Sequence, residues 1–210
     1  MPSLRQVLTA HGPVLLLDAA SSLIQVGWLE AGQARWQKSD AEAGVGLFAA
    51  IKALGADVGQ AGAFVYCDGP GSILGIRTVA MALRTWTLLQ DRPVFSYSSL
   101  ALVAEALGRS ETGVLVDARR DTWHLYQTGR GLRRVMTAEL PADCVMPEHF
   151  RHWAPLPSKV TSTGYDLAAL WPKVETIELL HPAPAPDAFL SEEPAYVTWT
   201  PQIHRAPAPP

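Results

Sequence analysis

Short apolar runs separated by polar turns fill the first part of the chain. Residues 14–17 form such a run, which ends at Asp18, and residues 63–67 form another. Runs of this length bounded by turn residues are typical of strands that are buried on both faces of a sheet. Between them, residues 23–29 are rich in strand-forming side chains, and a turn at residues 30–33 leads into a further strand. The pattern predicts a sheet that begins with a hairpin.

Apolar residues change to helical spacing in three later segments. Residues 47–54 end at Gly55, a typical C-cap, and residues 73–90 form a longer helix. A third helix begins at Ser98 or Ser99. The helix over residues 73–90 is apolar on nearly every side, which is typical of a helix covered by more than one neighbour. The sheet is one neighbour, and the other is either a partner molecule or loops of the same chain.

The opening pattern recurs in the second half of the chain. Asp18 and Asp117 each close a buried apolar run, each is followed by Ala and a short polar turn, and they lie 99 positions apart. We interpret this echo as the duplication of one α/β unit. The alternative is two unrelated strands that both end in Asp, a common turn residue. Duplication predicts an N-terminal lobe at residues 1–108, a smaller C-terminal lobe at residues 109–205 and a proline-rich tail at residues 206–210.

Composition narrows the class of function. With 17 Lys plus Arg against 20 Asp plus Glu, the chain lacks the basic excess of proteins that bind nucleic acid or acidic membranes alone. Only 18% of the residues are charged, which fits a face buried in a partner. No apolar run is long enough to cross a bilayer and no signal-peptide pattern is present, so we expect a cytoplasmic protein. Thirteen of the 17 prolines lie from Pro141 onward, which predicts short elements and rigid loops there.

The strongest local motif is a glycine-rich turn at residues 68–77, between a strand and a helix. Glycines allow a ligand to approach the backbone, and the free N–H groups of a helix start attract anions, so this turn can hold a phosphate. Asp18 and Asp117 can in turn hold Mg²⁺ or direct a water molecule. The alternatives are a tight connection without a ligand and, for the two aspartates, a role in capping turns, which we favour. The residues of this vestigial phosphate or nucleotide loop are Asp18, Ser21, Ser22, Gly69, Gly71, Ser72 and Asp117.

Other groups of reactive residues do not form a catalytic set. His149 and His152 lack the Glu and the spacing of a helical zinc motif, and Cys67 lies inside an apolar strand, so we expect no metal site and no catalytic residues. A cluster of arginines follows Asp117 and can meet RNA phosphates or form a solvated hairpin face. Its members are Arg119, Arg120, Arg130, Arg133 and Arg134.

Four segments taken together resemble the bacterial TsaB (YeaZ) family, whose members are non-catalytic partners in making threonylcarbamoyladenosine on tRNA. The segments lie in the expected order within residues 14–126. They are Leu16-Leu17-Asp18-Ala19-Ala20-Ser21-Ser22, Gly69-Pro70-Gly71-Ser72-Ile73-Leu74-Gly75-Ile76-Arg77, Ser98-Ser99-Leu100 and Val114-Leu115-Val116-Asp117-Ala118-Arg119-Arg120.

The resemblance implies the duplicated α/β fold of actin and ribonuclease H, with two lobes of mixed sheets flanked by helices. It also implies pairing with a TsaD-like catalytic subunit through the helices at residues 44–54 and 73–90, recruitment of a TsaE-like ATPase, and a homodimer when the chain is alone. Contact with tRNA is then indirect, and ATP, ADP or Mg²⁺ enters only at a partner interface. The interface residues we predict are Phe48, Leu74, Arg77, Met81, Thr85 and Trp86.

Three departures from the family pattern leave other functions open. The family usually has a His-Ser pair before the first of these helices, where this chain reads Lys38-Ser39-Asp40-Ala41-Glu42, and its glycine loop has Phe-Thr where this chain has Ile73-Leu74. After Leu140 the match fades, and Pro182–Pro186 displace the late helix that the family pattern leads us to expect. The chain also lacks the His-x-x-x-His element through which the related TsaD binds metal, so it resembles the non-catalytic member of the pair. Nothing in it offers the nucleophile or metal set of a protease, the activity once assigned to the family. The alternatives are a small nucleotide-binding ATPase or phosphotransferase of the same fold, and a divergent homodimeric paralogue without a role on tRNA.

Overall fold

The computed structural model describes residues 1–153 and 155–189. Within them the chain forms two mixed β-sheets and the helices that flank them. The predicted tail at residues 206–210 and the end of the predicted second lobe lie outside the described residues.

The first sheet has β1 at its centre. The strand order is β11-β5-β4-β1-β2-β3, with β1 antiparallel to β2 and parallel to β4. The four apolar residues of β1 are fully buried, as the continuous apolar run predicts. The strands are β1 Val14–Asp18, β2 Ile24–Glu30, β3 Gln33–Ser39, β4 Ala63–Gly69, β5 Val94–Ser98 and β11 His181–Pro182.

The second sheet repeats the arrangement of the first. Its order is β10-β9-β6-β7-β8, with β6 antiparallel to β7 and parallel to β9. The five strands β6–β10 therefore occupy the same places in the second sheet as β1–β5 do in the first. The Asp-Ala echo in the sequence marks the ends of the two equivalent central strands, β1 and β6. The strands are β6 Gly113–Asp117, β7 Thr122–Gln127, β8 Gly131–Met136, β9 Cys144–Pro147 and β10 Val160–Thr163.

Five α-helices flank the sheets in the described part of the chain, and two of them were missed by the sequence pattern. The first, α1, begins with a capping box in which the Ser3 hydroxyl accepts from the Gln6 N–H and the Gln6 amide oxygen accepts from the Ser3 N–H. The last, α5, has Asp166 as its N-cap and contains Pro172. The helices are α1 Leu4–His11, α2 Ala43–Leu54, α3 Ile73–Leu89, α4 Ser99–Leu107 and α5 Leu167–Val174.

The lobes differ in how their strands are connected. In the first lobe, α2 joins β3 to β4, and α3 joins β4 to β5. The first equivalent connection of the second lobe holds the 3₁₀ turn Thr137–Glu139, and the second, between β9 and β10, contains no helix in its described residues 148–153 and 155–159. Within the described residues of the second lobe there is no counterpart of α2 or α3, and the two longest helices described, α2 and α3, belong to the first lobe.

Candidate interaction face and the ends of the central strands

Helices α2 and α3 carry most of the large apolar side chains that stay exposed in the described part of the chain. Leu74 is 76% exposed and Met81 is 58% exposed, whereas the opposite side of α3 packs on the sheet through residues such as Val79 and Leu83. An exposed patch of this kind usually marks an interaction site. We name it the α2–α3 face, and its exposed apolar residues are Val45, Phe48, Ile73, Leu74, Met81, Leu88 and Leu89.

A groove of about 580 Å³ runs between the two helices. Phe48 and Trp86 meet across it edge to face, with ring centroids 6.5 Å apart. Thr78 and Ala82 add small side chains to its lining. All six of the interface residues predicted from the sequence line this groove, and their role in binding stays a prediction; they are Phe48, Leu74, Arg77, Met81, Thr85 and Trp86.

Trp86 forms part of the core as well as part of the groove. Its ring lies 5.7 Å from the ring of Phe64, which is fully buried in β4. A charged substitution at Trp86 therefore disturbs the packing of α3 on the sheet, whereas Met81 touches the groove from an exposed position. Met81 is for this reason the position at which binding and folding can be separated.

Asp18, at the end of β1, is buried and surrounded by hydrogen-bond donors. Its Oδ2 accepts from the hydroxyls of Tyr97 and Tyr165, each at 2.6 Å, and its Oδ1 accepts from the Ala20 N–H at 2.9 Å. Burial raises the pKa of this carboxyl above its usual range, and the hydrogen bonds from Tyr165, Tyr97 and Ala20 oppose that effect. The arrangement joins β1, β5 and the segment before α5, and it closes the carboxylate to solvent.

The glycine-rich turn packs directly on the turn that follows β1. A Cβ atom at Gly71 would clash with the carbonyl oxygen of Ala20, and one at Gly75 would clash with that of Ala19. The Ser72 N–H donates to Ala20 O at 2.7 Å, while the Ser72 hydroxyl caps α3 by accepting from Gly75 N–H. Contacts inside the chain therefore account for Gly71, Ser72 and Gly75, and the phosphate role of this turn stays a prediction.

The other residues of the predicted loop also have partners within the chain. The Ser21 hydroxyl donates to Leu23 O at 2.9 Å, and the Ser22 N–H donates to His149 O at 2.8 Å. Gly69 has φ +122°, which glycine alone adopts readily. Asp117, the remaining member, lines a separate cavity in the second lobe, and none of the other predicted loop residues lines it.

Gly75→Ala is expected to lower the free energy of unfolding by about 1–3 kcal/mol, because the new methyl group overlaps a backbone carbonyl that cannot turn away. Gly44→Ala is the matched control, since Gly44 also lies in the first turn of a helix but has no atom near its Cβ direction. There the substitution should be neutral or stabilising by up to about 1 kcal/mol. Urea denaturation of both variants measures the difference, and equal stabilities would contradict the close-packing account.

The segment that follows β11 crosses the ends of β4 and β5. The Tyr66 hydroxyl donates to Asp187 O at 3.0 Å, and the Phe189 N–H donates to Asp68 O at 2.7 Å. The Asp187 carboxylate lies 3.7 Å from Arg77 and 3.5 Å from Arg84 of α3. This segment, residues 183–189, is thus bound to both the sheet and α3, and it carried no signal in the sequence.

Asp68 gives the first lobe a pH dependence. Burial raises the pKa of its carboxyl to about 6, against the opposing hydrogen bond from Ser96 and the charge of His181. The folded state therefore holds a proton that the unfolded chain, with an ordinary pKa of 3.8, has already lost. The contribution of this proton to the free energy of unfolding is fully present below pH 3.8 and is lost as the pH rises through about 6.

Asp68→Asn should remove this component, because the amide does not ionise. Urea denaturation between pH 4 and pH 8 is expected to show a free energy of unfolding that changes less with pH in the variant than in the natural chain. The stability of the variant relative to the natural chain should be highest at pH 8. Asp57→Asn serves as the control, because it removes an exposed carboxylate outside the sheet while asparagine can still accept from the Gly59 N–H. The flattening of this pH profile should be specific to Asp68→Asn. A natural chain whose stability rises steadily over this range would contradict the assignment.

The remaining sequence candidates are distributed over the surface of the second lobe. His149 and His152 are exposed, and no cluster of three or more His, Cys, Asp or Glu residues suited to a metal ion occurs within residues 1–153 and 155–189. In the arginine cluster, Arg133 bonds Gln127 and Arg134 bonds Thr122. Across those same ranges, no helix has the length and apolar character needed to cross a membrane.

Comparison with known proteins supports the fold. No family model matches the chain, and no curated protein matches it. A protein of Pseudomonas aeruginosa described as uncharacterized and similar to the peptidase YeaZ is 20% identical, with a TM-score of 0.53 over 73% of this chain and 84% of that chain. YeaZ from the same organism is 23% identical, with a TM-score of 0.49 over 64% of this chain and 75% of that chain.

These identities establish the fold alone. The first structure, together with the two mixed sheets and their flanking helices, confirms the predicted actin-like α/β fold. In this fold the α2–α3 face lies on the first lobe, and the ends of β1 and β6 lie at equivalent positions of the two sheets.

Proposed function

We propose that this chain is a non-catalytic scaffold subunit that pairs with a TsaD-like enzyme through the α2–α3 face. Together with a TsaE-like ATPase, the pair would transfer a threonylcarbamoyl group to N6 of the adenosine next to the anticodon of tRNA. The observation that carries the proposal is the groove between α2 and α3, which collects all six residues that the family resemblance identified as an interface.

The chemistry of this groove suits a protein partner. Its walls are apolar and aromatic, and Arg77 and two threonines supply polar atoms for the rim. Interfaces usually have this composition, with a desolvated apolar centre and a polar edge. Exposed leucines extend the apolar surface beyond the groove to the end of α3, at Leu88 and Leu89. When the partner is absent, a second copy of the chain would cover the same surface.

The ends of the central strands support a role without catalysis. The Asp18 carboxylate already accepts three hydrogen bonds and is closed to solvent, and the glycine loop is packed against Ala19 and Ala20. A catalytic carboxylate needs access to the reacting atoms. The tRNA contact is then assigned to the partner, in agreement with the slight negative charge of this chain, and the site of action is the cytoplasm.

Reconstitution tests the proposed function. The chain is combined with the cognate TsaD-like and TsaE-like proteins, tRNA, threonine, bicarbonate, ATP and the enzyme that makes the threonylcarbamoyl-adenylate, and the modified nucleoside is measured by mass spectrometry. Modification should require this chain, which should also co-elute with the TsaD-like protein. Full modification in its absence would refute the scaffold role, and failure to co-elute with an otherwise active partner would favour the divergent paralogue.

A further inference from the structure

The end of β6 opens into a cavity, whereas the equivalent end of β1 is filled. At β1, the connection between β4 and β5 brings the glycine loop onto Ala20. The equivalent connection in the second lobe, between β9 and β10, contributes Trp153 to the cavity. The space left between this connection and the β6–β7 turn is about 350 Å³, within the range of small-molecule sites. We name it the Arg119 cavity.

We propose that the Arg119 cavity binds a small ligand that combines an oxyanion with a flat aromatic ring. Phosphate and carboxylate are the two oxyanions that guanidinium groups recognise by this chemistry. Nucleoside monophosphates and aromatic carboxylic acids are the corresponding ligand classes. The proposal does not depend on the scaffold role, because the cavity lies in the second lobe and shares no residue with the α2–α3 face.

The β6–β7 turn places two arginines at the cavity. Arg119, Arg120 and Asp121 have φ values of 65°, 52° and 59°, in the left-handed region that residues other than glycine rarely adopt. The turn is held in this conformation because the Asp117 Oδ1 accepts from the Arg119 N–H at 2.5 Å and the Thr122 N–H donates to Arg119 O at 3.1 Å. Such strained turns are concentrated at binding sites, where they fix side chains in place.

Trp153 supplies the flat wall. Its backbone N–H donates to the Asp117 Oδ2 at 2.7 Å, so one carboxylate fixes both the turn and the loop that face the cavity. The guanidinium carbon of Arg119 lies 4.4 Å from the centre of the indole ring. The tryptophan is nevertheless 62% exposed, which leaves indole surface for a ligand ring to stack on.

Two arginines and two aspartates line the cavity, so their formal charges balance, and it is the hydrogen-bond donors of the arginines that favour an anion. The two carboxylates are engaged by the fold, since Asp117 accepts the two backbone N–H groups and the Asp121 Oδ1 accepts from the Thr137 hydroxyl at 2.5 Å. Arg120 is exposed, and none of the contacts described for residues 1–153 and 155–189 engages its guanidinium. Arg134 adds a third guanidinium beside the turn, bonded to the Thr122 hydroxyl and to Ala118 O.

Calorimetric titration of the full chain tests the proposal with four probes. Adenosine monophosphate, phenyl phosphate and benzoate each carry an oxyanion on or near a ring, and inorganic phosphate lacks the ring. Arg120→Gln and Trp153→Leu remove one charge and one ring surface at exposed positions. Arg130→Gln is the matched control, because it removes an exposed arginine in the same lobe that does not line the cavity.

We expect at least one ring-bearing probe to bind, and each cavity variant to weaken that binding about tenfold while Arg130→Gln changes it less than about twofold. Tighter binding of the two phosphate esters would identify the phosphate class, and tighter binding of benzoate the carboxylate class. The proposal is overturned if no ring-bearing probe binds, if inorganic phosphate binds as tightly as phenyl phosphate, or if Arg120→Gln behaves like Arg130→Gln. Thermal denaturation of each variant confirms that it is folded.

Discussion

Asp18→Ala is expected to lower the free energy of unfolding by about 3 kcal/mol. The substitution removes the acceptor of two buried tyrosine hydroxyls and one backbone N–H, and it leaves a small cavity at the end of β1. Each buried donor left without a partner costs about 1–3 kcal/mol, partly offset because a buried carboxylate is itself costly. Urea denaturation followed by far-ultraviolet circular dichroism at pH 7 measures the loss.

Asp18→Asn separates the hydrogen bonds from the charge. Asparagine keeps the size and one acceptor oxygen, so we expect a smaller loss than for alanine. Because burial raises the pKa of Asp18 in the folded state, stability falls as the pH rises above the ordinary value of 3.8, and the asparagine variant should lack this component. If Asp18→Ala is as stable as the natural chain, Asp18 does not have this structural role.

Binding of a magnesium nucleotide tests the alternative function at the same residue. Tight binding by the natural chain that disappears in Asp18→Asn would support the nucleotide-binding enzyme.

Met81→Glu is expected to weaken assembly through the α2–α3 face by at least about thirtyfold. A carboxylate placed in an apolar groove must lose its water when a partner covers it, and substitutions at the centre of an interface commonly cost 2 kcal/mol or more. The isolated fold should tolerate the change because Met81 is exposed and Arg77 lies one helical turn before it. Light scattering of the chain alone and titration with the TsaD-like partner measure the two assemblies.

Met136→Glu is the matched control for this test. Met136 is 48% exposed, close to the value for Met81, but it lies in β8 of the other sheet and outside the groove. It should leave both assemblies unchanged. If Met81→Glu assembles like the natural chain, or if Met136→Glu disrupts assembly equally, the α2–α3 face is not the interface.

The periodic features of the sequence were sufficient to predict the core of the first lobe. The apolar runs that became β1 and β4 are buried on both faces of the sheet, a condition that requires nearly every side chain to be apolar. The repeated Asp-Ala pair at Asp18 and Asp117 predicted the repeat, because a duplicated unit keeps the residues that end its central strand, here β1 and β6. The apolar helix at residues 73–90 predicted a second neighbour besides the sheet, either a partner or loops of the same chain. Within the described residues, Leu74, Met81 and Leu88 of this helix stay exposed.

Contacts between distant segments could not be predicted. Tyr165 lies 147 positions from the Asp18 carboxylate that it bonds, and Trp153 lies 36 positions from Asp117. Nothing local in the sequence encodes such pairs. The glycine loop shows a second limit, since a turn that approaches a ligand and a turn that approaches Ala20 both need glycine at position 71. Ser3 and Gln6, the capping box of α1, are a local signal that the sequence does contain, whereas Pro172 breaks the helical pattern of α5.

Hydrogen–deuterium exchange of the natural chain, with and without the cognate TsaD-like protein, tests the scaffold account most directly. The account predicts slower exchange in α2 (Ala43–Leu54) and α3 (Ile73–Leu89) when the partner is added, and little change in the β7–β8 hairpin. Unchanged exchange in both helices, with a partner that is folded and present in excess, would contradict it.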